Sequence, residues 1–247
     1  MLITSLDNKK IKLYTSLSES KNRNINRLFL VMGEHLVKEA LNVNNLVDII
    51  VLENYDLDFD INMEITYVTE NVMKKLTKMP SIPKVVGVCK IFDNNEIKGN
   101  RILLLDNIQD PGNLGTIIRS SVAFNVDTIV LSNDTVDLYN DKVIRSTQGL
   151  LFHINIIRRD LVEVINDLKN KGYDILGTNV HNGVELNSIK TNKYALLMGN
   201  EGQGLKEELQ NMCDKNIYIP MNKNCESLNV AVATSIILYS LGCDNNE

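Results

Sequence analysis

The sequence is poor in cysteine and histidine, and their placement excludes several kinds of site. The four cysteines include no Cys-x-x-Cys pair and have no histidine at ligand spacing, so neither a zinc site nor a disulfide framework is predicted. They stand at positions 89, 213, 225 and 243. We expect the reduced thiols of an intracellular protein, and no metal. The three histidines are scattered, at positions 35, 153 and 181, and offer no histidine-based catalytic pair.

Long apolar runs are also missing. No run approaches the roughly 18 residues of a membrane span, and Met1 to Ile3 are followed by polar sequence rather than by the apolar core of a signal peptide. We therefore expect a cytoplasmic protein that does not use a membrane. The net charge of −5 argues against a protein that coats nucleic acid without specificity, although it leaves room for a local basic surface.

Residues 1–92 have the pattern of a small α/β domain with a basic front end. Strands are predicted at 27–33, 47–52, 64–68 and 85–91, and helices at 5–18, at 34–42 and from 69 onward. Lys9, Lys10, Arg23 and Arg27 belong to a basic cluster near the start and are candidate RNA contacts. The alternative for such a charge run is a solvated face. The polar stretch 93–100 is the predicted linker.

Strands and helices alternate regularly from residue 101 to the end. Strands are predicted at 101–106, 127–132, 153–157, 173–178, 194–200 and 217–220, and helices at 113–124, 138–147, 160–171, 205–212 and from 227. This alternation predicts a parallel sheet covered on both faces, in a second domain of residues 101–247. Ligands of parallel sheets bind beyond the carboxyl ends of the strands, so function is expected in the loops there.

The segment NIQDPGNLGTIIRSS follows the first of these strands. It places Asn113 at a helix start and Arg119 six residues later. An arginine next to Ile117 and Ile118 needs an anion or a pocket for its guanidinium, because burying that charge alone costs too much free energy. The alternative is a salt bridge to an acidic residue of the same domain. Arg119 is therefore a candidate functional residue.

The segment MGNEGQGL follows a later strand and places three glycines around Glu201. Its order, G-x-x-G-x-G late in the chain, differs from the G-x-G-x-x-G of a dinucleotide-binding fold, and no P-loop motif occurs. Glycines at such a point favour close approach of the backbone to a small molecule.

The stretch IYIPMNKNCESLNVAVATSIILY, residues 217–239, predicts a short strand, a polar loop and a helix that opens at Ser227. The helix is apolar on nearly every side, so we expect it to be buried by the core and by a second subunit. Ser227 is the predicted N-cap, and Asn229 lies in the first turn, where free backbone N–H groups can meet a ligand. The alternative is that Ser227 only caps the helix and Asn229 only assists this cap.

NLGTIIRSS, LLMGNEGQGL and IPMNKNCESLNVAVATSI, in this order and at this spacing, resemble the SpoU (TrmH-like) branch of the SPOUT RNA methyltransferases. The resemblance covers about 101–241. Residues 1–92 resemble the ribosomal-protein-like substrate-binding domain that precedes the catalytic domain in ribosomal-RNA members, through FLVMGEHLVKEAL and PKVVGV. The resemblance implies a deep C-terminal trefoil knot, an S-adenosylmethionine pocket and a homodimer with its sites near the subunit interface.

The resemblance also implies which residues act. The signature residues of the family fall on Asn113, Arg119, Glu201, Ser227 and Asn229. Its cofactor contacts, largely through the backbone, fall on Thr178, Asn179, Leu197, Gly199, Ile219, Met221 and Leu228.

The implied reaction is transfer of a methyl group to a ribose 2′-hydroxyl of structured RNA. Ribosomal RNA is favoured over transfer RNA because of the additional front domain, and a non-catalytic RNA-binding or ribosome-assembly factor on the same fold is the alternative from another class. Arg119 acts either as a base or as a clamp for the substrate phosphate and the developing oxyanion. A guanidinium pKa above about 12 makes a free arginine a poor base.

Overall fold

The computed structural model describes residues 1–77, 81–179, 183–189, 191–200 and 202–243. The chain divides into two compact units. The first unit comprises Met1–Asp93 and Asp137–Phe152, and the second comprises Asn94–Val136 and His153–Glu247. Residues 137–152 therefore lie within the predicted second domain in sequence but pack with the first unit. The predicted domain limits themselves stay a prediction.

Strands and helices of the described residues are numbered in chain order. The strands are β1 (Leu2–Ile3), β2 (Leu28–Met32), β3 (Leu46–Leu52), β4 (Ile65–Val68), β5 (Val85–Lys90), β6 (Arg101–Leu105), β7 (Thr128–Leu131), β8 (Asn155–Arg158), β9 (Asp174–Thr178), β10 (Val184–Glu185), β11 (Tyr194–Met198) and β12 (Lys215–Tyr218). The helices are α1 (Lys9–Ser16), α2 (Ser20–Asn26), α3 (Glu34–Asn42), α4 (Glu70–Thr77), α5 (Pro111–Ala123), α6 (Asp141–Thr147), α7 (Leu161–Asn170), α8 (Glu207–Asn211) and α9 (Val230–Cys243).

The first unit is built on a mixed sheet in the order β1-β4-β3-β5-β2. The pairs β1/β4 and β3/β4 are parallel, and β5 runs antiparallel to both of its neighbours. One core lies between this sheet and α3, and it includes Phe29, Val37 and Ile49, each fully buried. Ile144 and Leu151, from the inserted segment 137–152, are buried in the same core. That segment is therefore part of the hydrophobic core of the first unit.

The first helix is shorter than the pattern predicted. It begins at Lys9 rather than at residue 5, because the side chain of Asn8 accepts hydrogen bonds from the N–H groups of Lys10 and Ile11 and caps the helix. Helix α2 and the two-residue strand β1 were not predicted; α2 is a short polar helix with no strong apolar period.

The second unit is built on a sheet in the order β10-β12-β9-β11-β6-β7-β8. Every neighbouring pair in it is parallel, as predicted. The buried residues of β6, β7 and β11, apart from Thr128, are apolar on both faces, which is the pattern of strands covered from both sides. The parallel α/β class predicted from the sequence is thus confirmed, while the trefoil knot stays a prediction.

Helix α5 begins at Pro111, two residues before the predicted start. The Asp110 side chain accepts a hydrogen bond from the N–H of Asn113 at 2.8 Å, and the proline occupies the first helical turn, where its missing N–H costs nothing. Among the described residues, no helix is both long enough and apolar enough to cross a bilayer.

Candidate functional site

The four strands β12, β9, β11 and β6 are neighbours, so the loops that leave their carboxyl ends meet at one edge of the second unit. Three segments meet at this edge: the β6 loop (residues 106–110), the glycine loop (residues 199, 200 and 202–206) and the C-terminal loop (residues 219–229). Their meeting point follows from strand order, which the sequence pattern alone did not supply.

A cavity of about 320 Å³ opens between the glycine loop, the C-terminal loop, the end of β9 and α9. Six of the seven predicted cofactor contacts line it: Thr178, Asn179, Gly199, Ile219, Met221 and Leu228. Leu197 does not line it; this residue is fully buried in β11, where its carbonyl oxygen accepts a hydrogen bond from the Thr178 hydroxyl at 3.2 Å. Val230, Ala233 and Ile237 of α9 also line the cavity and were not among the predicted contacts. Their spacing of three and four residues was the signal for one shared helix face.

The glycine loop closes on itself. The N–H of Asn200 donates to the Gly204 carbonyl at 2.9 Å, and the N–H of Gly204 donates back to the Asn200 carbonyl at 3.0 Å. A Cβ at Gly199 would lie 2.3 Å from the Gly204 carbonyl carbon, so only glycine permits this turn. The Asn200 side chain donates to the Asn107 carbonyl at 2.8 Å and ties the turn to the β6 loop. Glu201, a predicted catalytic residue in this loop, lies outside the described residues.

Asn113 and Asn229 meet although 116 positions separate them in the chain. The Asn229 side-chain amide donates to Asn113 Oδ1 at 2.9 Å. Asn229 Oδ1 accepts from the N–H groups of Ala231 and Val232 at 2.9 and 3.3 Å, so Asn229 is the N-cap of α9. The prediction that Ser227 caps this helix is wrong, because α9 begins at Val230 and Ser227 lies three residues earlier. Ser227 is exposed and lines the cavity instead.

Arg119 is exposed on α5, and its guanidinium is not buried. It makes no ion pair or hydrogen bond with any other residue that the structure describes, so the alternative of a salt bridge within the domain finds no partner there. The buried residues of α5 are instead Leu114, Gly115, Ile117, Ile118 and Ser121. Neither Arg119 nor Asn113 lines the cavity. The structure thus leaves the guanidinium open to an external anion.

Lys206, at the end of the glycine loop, forms ion pairs with two carboxylates. Its ammonium lies 3.2 Å from Asp134 Oδ2 and 3.4 Å from Asp106 Oδ1. The hydrogen bond to Asp134, and then the charge of Asp106, raise the pKa of Lys206 above its ordinary value. No group of three or more His, Cys, Asp or Glu side chains suited to a metal ion occurs in the part of the chain that the structure describes.

The predicted RNA contacts of the first unit differ in what they already bind. Lys9 is exposed and makes no ion pair within the described ranges. Lys10 is held by Asp48 Oδ2 at 2.6 Å and by the Thr66 hydroxyl at 2.8 Å. Arg27 forms an ion pair with Asp93.

Arg23 is a structural residue in this fold. Its side chain is only 8 % exposed, and its guanidinium donates to the Leu17 and Ser18 carbonyls and to Asp137 Oδ2 at 2.5 Å. The expectation that Arg23 contacts RNA is contradicted, because its guanidinium has no free face for a phosphate. The sequence could not show this, since Asp137 lies 114 positions away.

Comparison with known proteins defines the class. The model of the SpoU rRNA Methylase family matches residues 100–239, and the MRM3-like substrate binding domain matches residues 8–87. The chain belongs to the SpoU rRNA methylase family. The resemblance stated from the three sequence motifs is thereby confirmed.

Individual relatives cover the whole length. The chain is 36 % identical over 243 residues to the 23S rRNA (guanosine(2553)-2′-O)-methyltransferase RlmP of Bacillus subtilis, with 97 % of this chain and 98 % of that protein covered. An AdoMet-bound rRNA methyltransferase from Sinorhizobium meliloti is similar in structure, with a TM-score of 0.86 at 28 % identity over 100 % of this chain and 99 % of that one. An RNA 2′-O ribose methyltransferase structure gives a TM-score of 0.83 at 26 % identity, with 98 % of both chains covered.

Proposed function

We propose that this chain transfers a methyl group from S-adenosylmethionine to a ribose 2′-hydroxyl of ribosomal RNA. The observation that carries the proposal is the cavity of about 320 Å³ between the glycine loop, the C-terminal loop and α9. Its size is that of a small-molecule site. Family membership and the AdoMet-bound relative from Sinorhizobium meliloti support the same cofactor.

The residues of the cavity suit this cofactor. Ile219, Met221 and Leu228 supply apolar walls against which an adenine ring packs, while the backbone at Gly199 can approach the ligand without a side chain in between. The polar side chain of Asn179 lies in the same lining and can bind the ribose of the nucleoside. When bound, S-adenosylmethionine supplies an electrophilic methyl group on a sulfonium.

The polar signature residues are assigned to the RNA. Arg119 binds the phosphate beside the target ribose and stabilises negative charge on the 2′-oxygen; as a permanent cation it acts as a clamp rather than as a base. The hydrogen bond between Asn113 and Asn229 fixes both amides, and the exposed Ser227 hydroxyl lies nearby in the chain. These three side chains orient the ribose. Glu201 remains a predicted catalytic residue beside these three.

Ribosomal RNA is the proposed substrate because RlmP is named as a 23S rRNA enzyme and because its similarity covers both units of this chain. The cytoplasm is the compartment that this substrate implies. The test maps ribose 2′-O-methyl groups in ribosomal and transfer RNA from cells with and without the gene. We expect one position of ribosomal RNA to lose its methyl group. A loss confined to transfer RNA would show that transfer RNA is the substrate. No loss in either pool would refute the proposed methyltransferase activity.

The first unit is proposed to contact the RNA through its exposed cations. Lys9 is the predicted contact that remains free of ion pairs within the described ranges, and Lys21 of α2 is exposed in the same way. Lys10 and Arg27 contribute to RNA binding only by exchanging Asp48 or Asp93 for a phosphate. Binding of a ribosomal RNA fragment at several salt concentrations tests this proposal.

A homodimer is proposed through α9. Val232, Ile236 and Tyr239 are 48 %, 39 % and 60 % exposed, and their spacing of four and three residues puts them on one face of the helix. Phe124, after α5, packs edge-on against Tyr239 at 5.8 Å and extends this face. Three large apolar side chains in one exposed stripe are typical of a subunit interface.

The dimer is tested by light scattering on the full chain and on Ile236→Glu. We expect a dimer for the wild type and a monomer for the variant, because a carboxylate in an apolar interface is costly. The matched control is Ile25→Glu, at an exposed apolar residue of the first unit that is 67 % exposed, which should stay dimeric. A monomeric wild type would overturn the proposal.

The trefoil knot is proposed for the segment from β9 to α9. It is supported by the strand order, in which β12 lies beside β9 rather than beside β11, and by family membership. Tracing the chain through residues 174–243 in an experimental electron density map tests it.

A further inference from the structure

A buried carboxylate lies just outside the cavity, beneath the glycine loop. Asp106 follows β6, and its side chain is only 1 % exposed. Its Oδ2 accepts a hydrogen bond from the backbone N–H of Lys206 at 3.4 Å, and its Oδ1 has no hydrogen-bond donor among the described residues. The Lys206 ammonium, 3.4 Å from Oδ1, is the cation that pairs with it in the described part of the chain.

The burial of Asp106 determines how strongly its ion pair with Lys206 stabilises the glycine loop. Lys206 also contacts Asp134, but both of those side chains are more than half exposed, and exposed ion pairs contribute little. Asp106 differs, because a carboxylate removed from water is destabilised unless a cation or hydrogen bonds compensate its charge. Without Lys206, the uncompensated charge of Asp106 favours a displaced glycine loop that lets water reach the carboxylate.

Lys206 is well placed to transmit such a change to the cavity. The glycine loop is a closed turn, held together by the Asn200 and Gly204 backbones, so it moves as one piece. The turn is continuous with β11 at one end, and at the other end Lys206 attaches it to Asp106 through both its backbone N–H and its ammonium. Gly199, Gly202 and Leu205 of this turn line the cavity, whereas Lys206 does not.

We propose that Lys206 is a positioning residue that fixes the glycine loop against the end of β6 through Asp106 and thereby sets the affinity for S-adenosylmethionine. The inference rests on the proposed function, because it assumes that this cofactor occupies the cavity. Lys206 acts through the loop and does not touch the cofactor. Its loss should therefore change cofactor affinity, and not the rate of methyl transfer once the cofactor is bound.

The test compares Lys206→Met and Lys206→Arg with the wild type in the full chain. Calorimetry with S-adenosylhomocysteine gives the dissociation constant, and steady-state kinetics with RNA separate the cofactor KM from kcat. We expect Lys206→Met to raise the dissociation constant and the cofactor KM about tenfold, since small displacements of a site wall are costly. The value of kcat at saturating cofactor should stay within about twofold. Lys206→Arg, which keeps the cation, should restore most of the affinity.

The matched control is Lys169→Met, which removes an ion pair of the same unit, to Asp214 at 2.9 Å, that lies outside the cavity lining. This variant should bind the cofactor as the wild type does. Equal weakening in Lys206→Met and Lys169→Met would overturn the inference, as would an unchanged dissociation constant in Lys206→Met.

A double-mutant cycle keeps the test decisive if Lys206→Met folds poorly. Asp106→Asn preserves the shape of the side chain but removes its charge, so it should also weaken cofactor binding, and the double variant should bind no more weakly than Lys206→Met alone. Unchanged binding in Asp106→Asn would overturn the inference. A wild-type protein that fails to bind S-adenosylhomocysteine would refute the proposed function instead, which separates the two failures.

Discussion

The cavity edge of the second unit and the basic front end of the first unit were both predicted from polar residues, but the structure treats them differently. In the second unit, Arg119 of α5 stays exposed with no ion pair in the described residues, and Asn113 meets Asn229 across 116 positions. At the front end, Arg23 and Lys10 are paired with Asp137 and Asp48. A residue in the loop or helix that follows a parallel strand has its location set by the sheet topology. A cation in a charge run can instead form an ion pair that stabilises the fold.

The largest expected effect in the second unit is the loss of methyl transfer on substitution of Arg119. Arg119→Ala should reduce methyl transfer to RNA by roughly 10²- to 10³-fold, because the charge that stabilises the 2′-oxygen is lost. Cofactor affinity should not change, since Arg119 does not line the cavity. Single-turnover transfer of a labelled methyl group measures the first quantity and calorimetry the second. Full activity in this variant would remove Arg119 from the mechanism.

At the front end, the large effect should be on stability instead. Arg23→Met removes the partner of Asp137 and should lower the free energy of unfolding by about 3 kcal/mol, the lower end of the range for a broken buried ion pair, because Asp137 is partly exposed. Urea denaturation measures the change. Lys9→Met is the control and should change stability by less than about 0.5 kcal/mol. Equal stability of the two variants would contradict the assignment of Arg23 as structural.

The same pair predicts a dependence on pH. Burial raises the pKa of Asp137, but the hydrogen bonds from Arg23 and from the Tyr139 N–H lower it by more, so the pKa lies below its ordinary value in the folded protein. A carboxyl with a lowered folded pKa stabilises the fold fully above its unfolded pKa, and the stabilisation is lost as the pH falls through the folded pKa. Wild-type stability should therefore fall more steeply below about pH 4 than that of Arg23→Met. Parallel slopes in acid denaturation would contradict this.

A smaller effect separates Ser227, the expected N-cap of the last helix, from Asn229, which caps that helix in the structure. Asn229→Ala should lower the free energy of unfolding by about 1 kcal/mol through loss of the N-cap of α9. Ser227→Ala should lower it by less than about 0.5 kcal/mol, because the exposed hydroxyl caps no helix. Both should reduce methyl transfer. Thermal unfolding of the two variants side by side provides the measurement, and a reversed order would restore Ser227 as the cap.

The smallest expected effect is on the RNA affinity of the basic front end of the first unit. Lys9→Glu should weaken binding to a ribosomal RNA fragment and reduce the slope of log affinity against log salt by about 1. Lys38→Glu, which removes an ion pair to Asp58 at 2.6 Å outside the cluster, is the control. An unchanged salt slope in Lys9→Glu would leave Lys9 as part of a solvated face.

The sequence by itself determined the class of the fold and most of the site. Alternating strands and helices after residue 100 predicted the parallel sheet, because apolar runs and turn residues are local signals. The family resemblance carried by the three motifs implied seven residues that line the cavity, namely six of the expected cofactor contacts and Ser227. The start of α9 was predicted three residues too early, because Ser227 and Asn229 are both good N-cap residues by type. In the structure Asn229 is the cap: its side-chain oxygen accepts from the Ala231 N–H, and its amide donates to Asn113.

Tertiary structure decided what depends on partners distant in the chain. Residues 137–152 belong to the first unit, because Ile144 and Leu151 are buried in the same core as Phe29. Arg23 also holds this segment, through its ion pair with Asp137. The position of Lys206 above a buried Asp106 depends on β6 and β11 being neighbours, although 100 residues separate the two side chains. A local pattern specifies which residues can bind or pair, but the free energy of a charge depends on its burial and its partners, and only the folded chain fixes those.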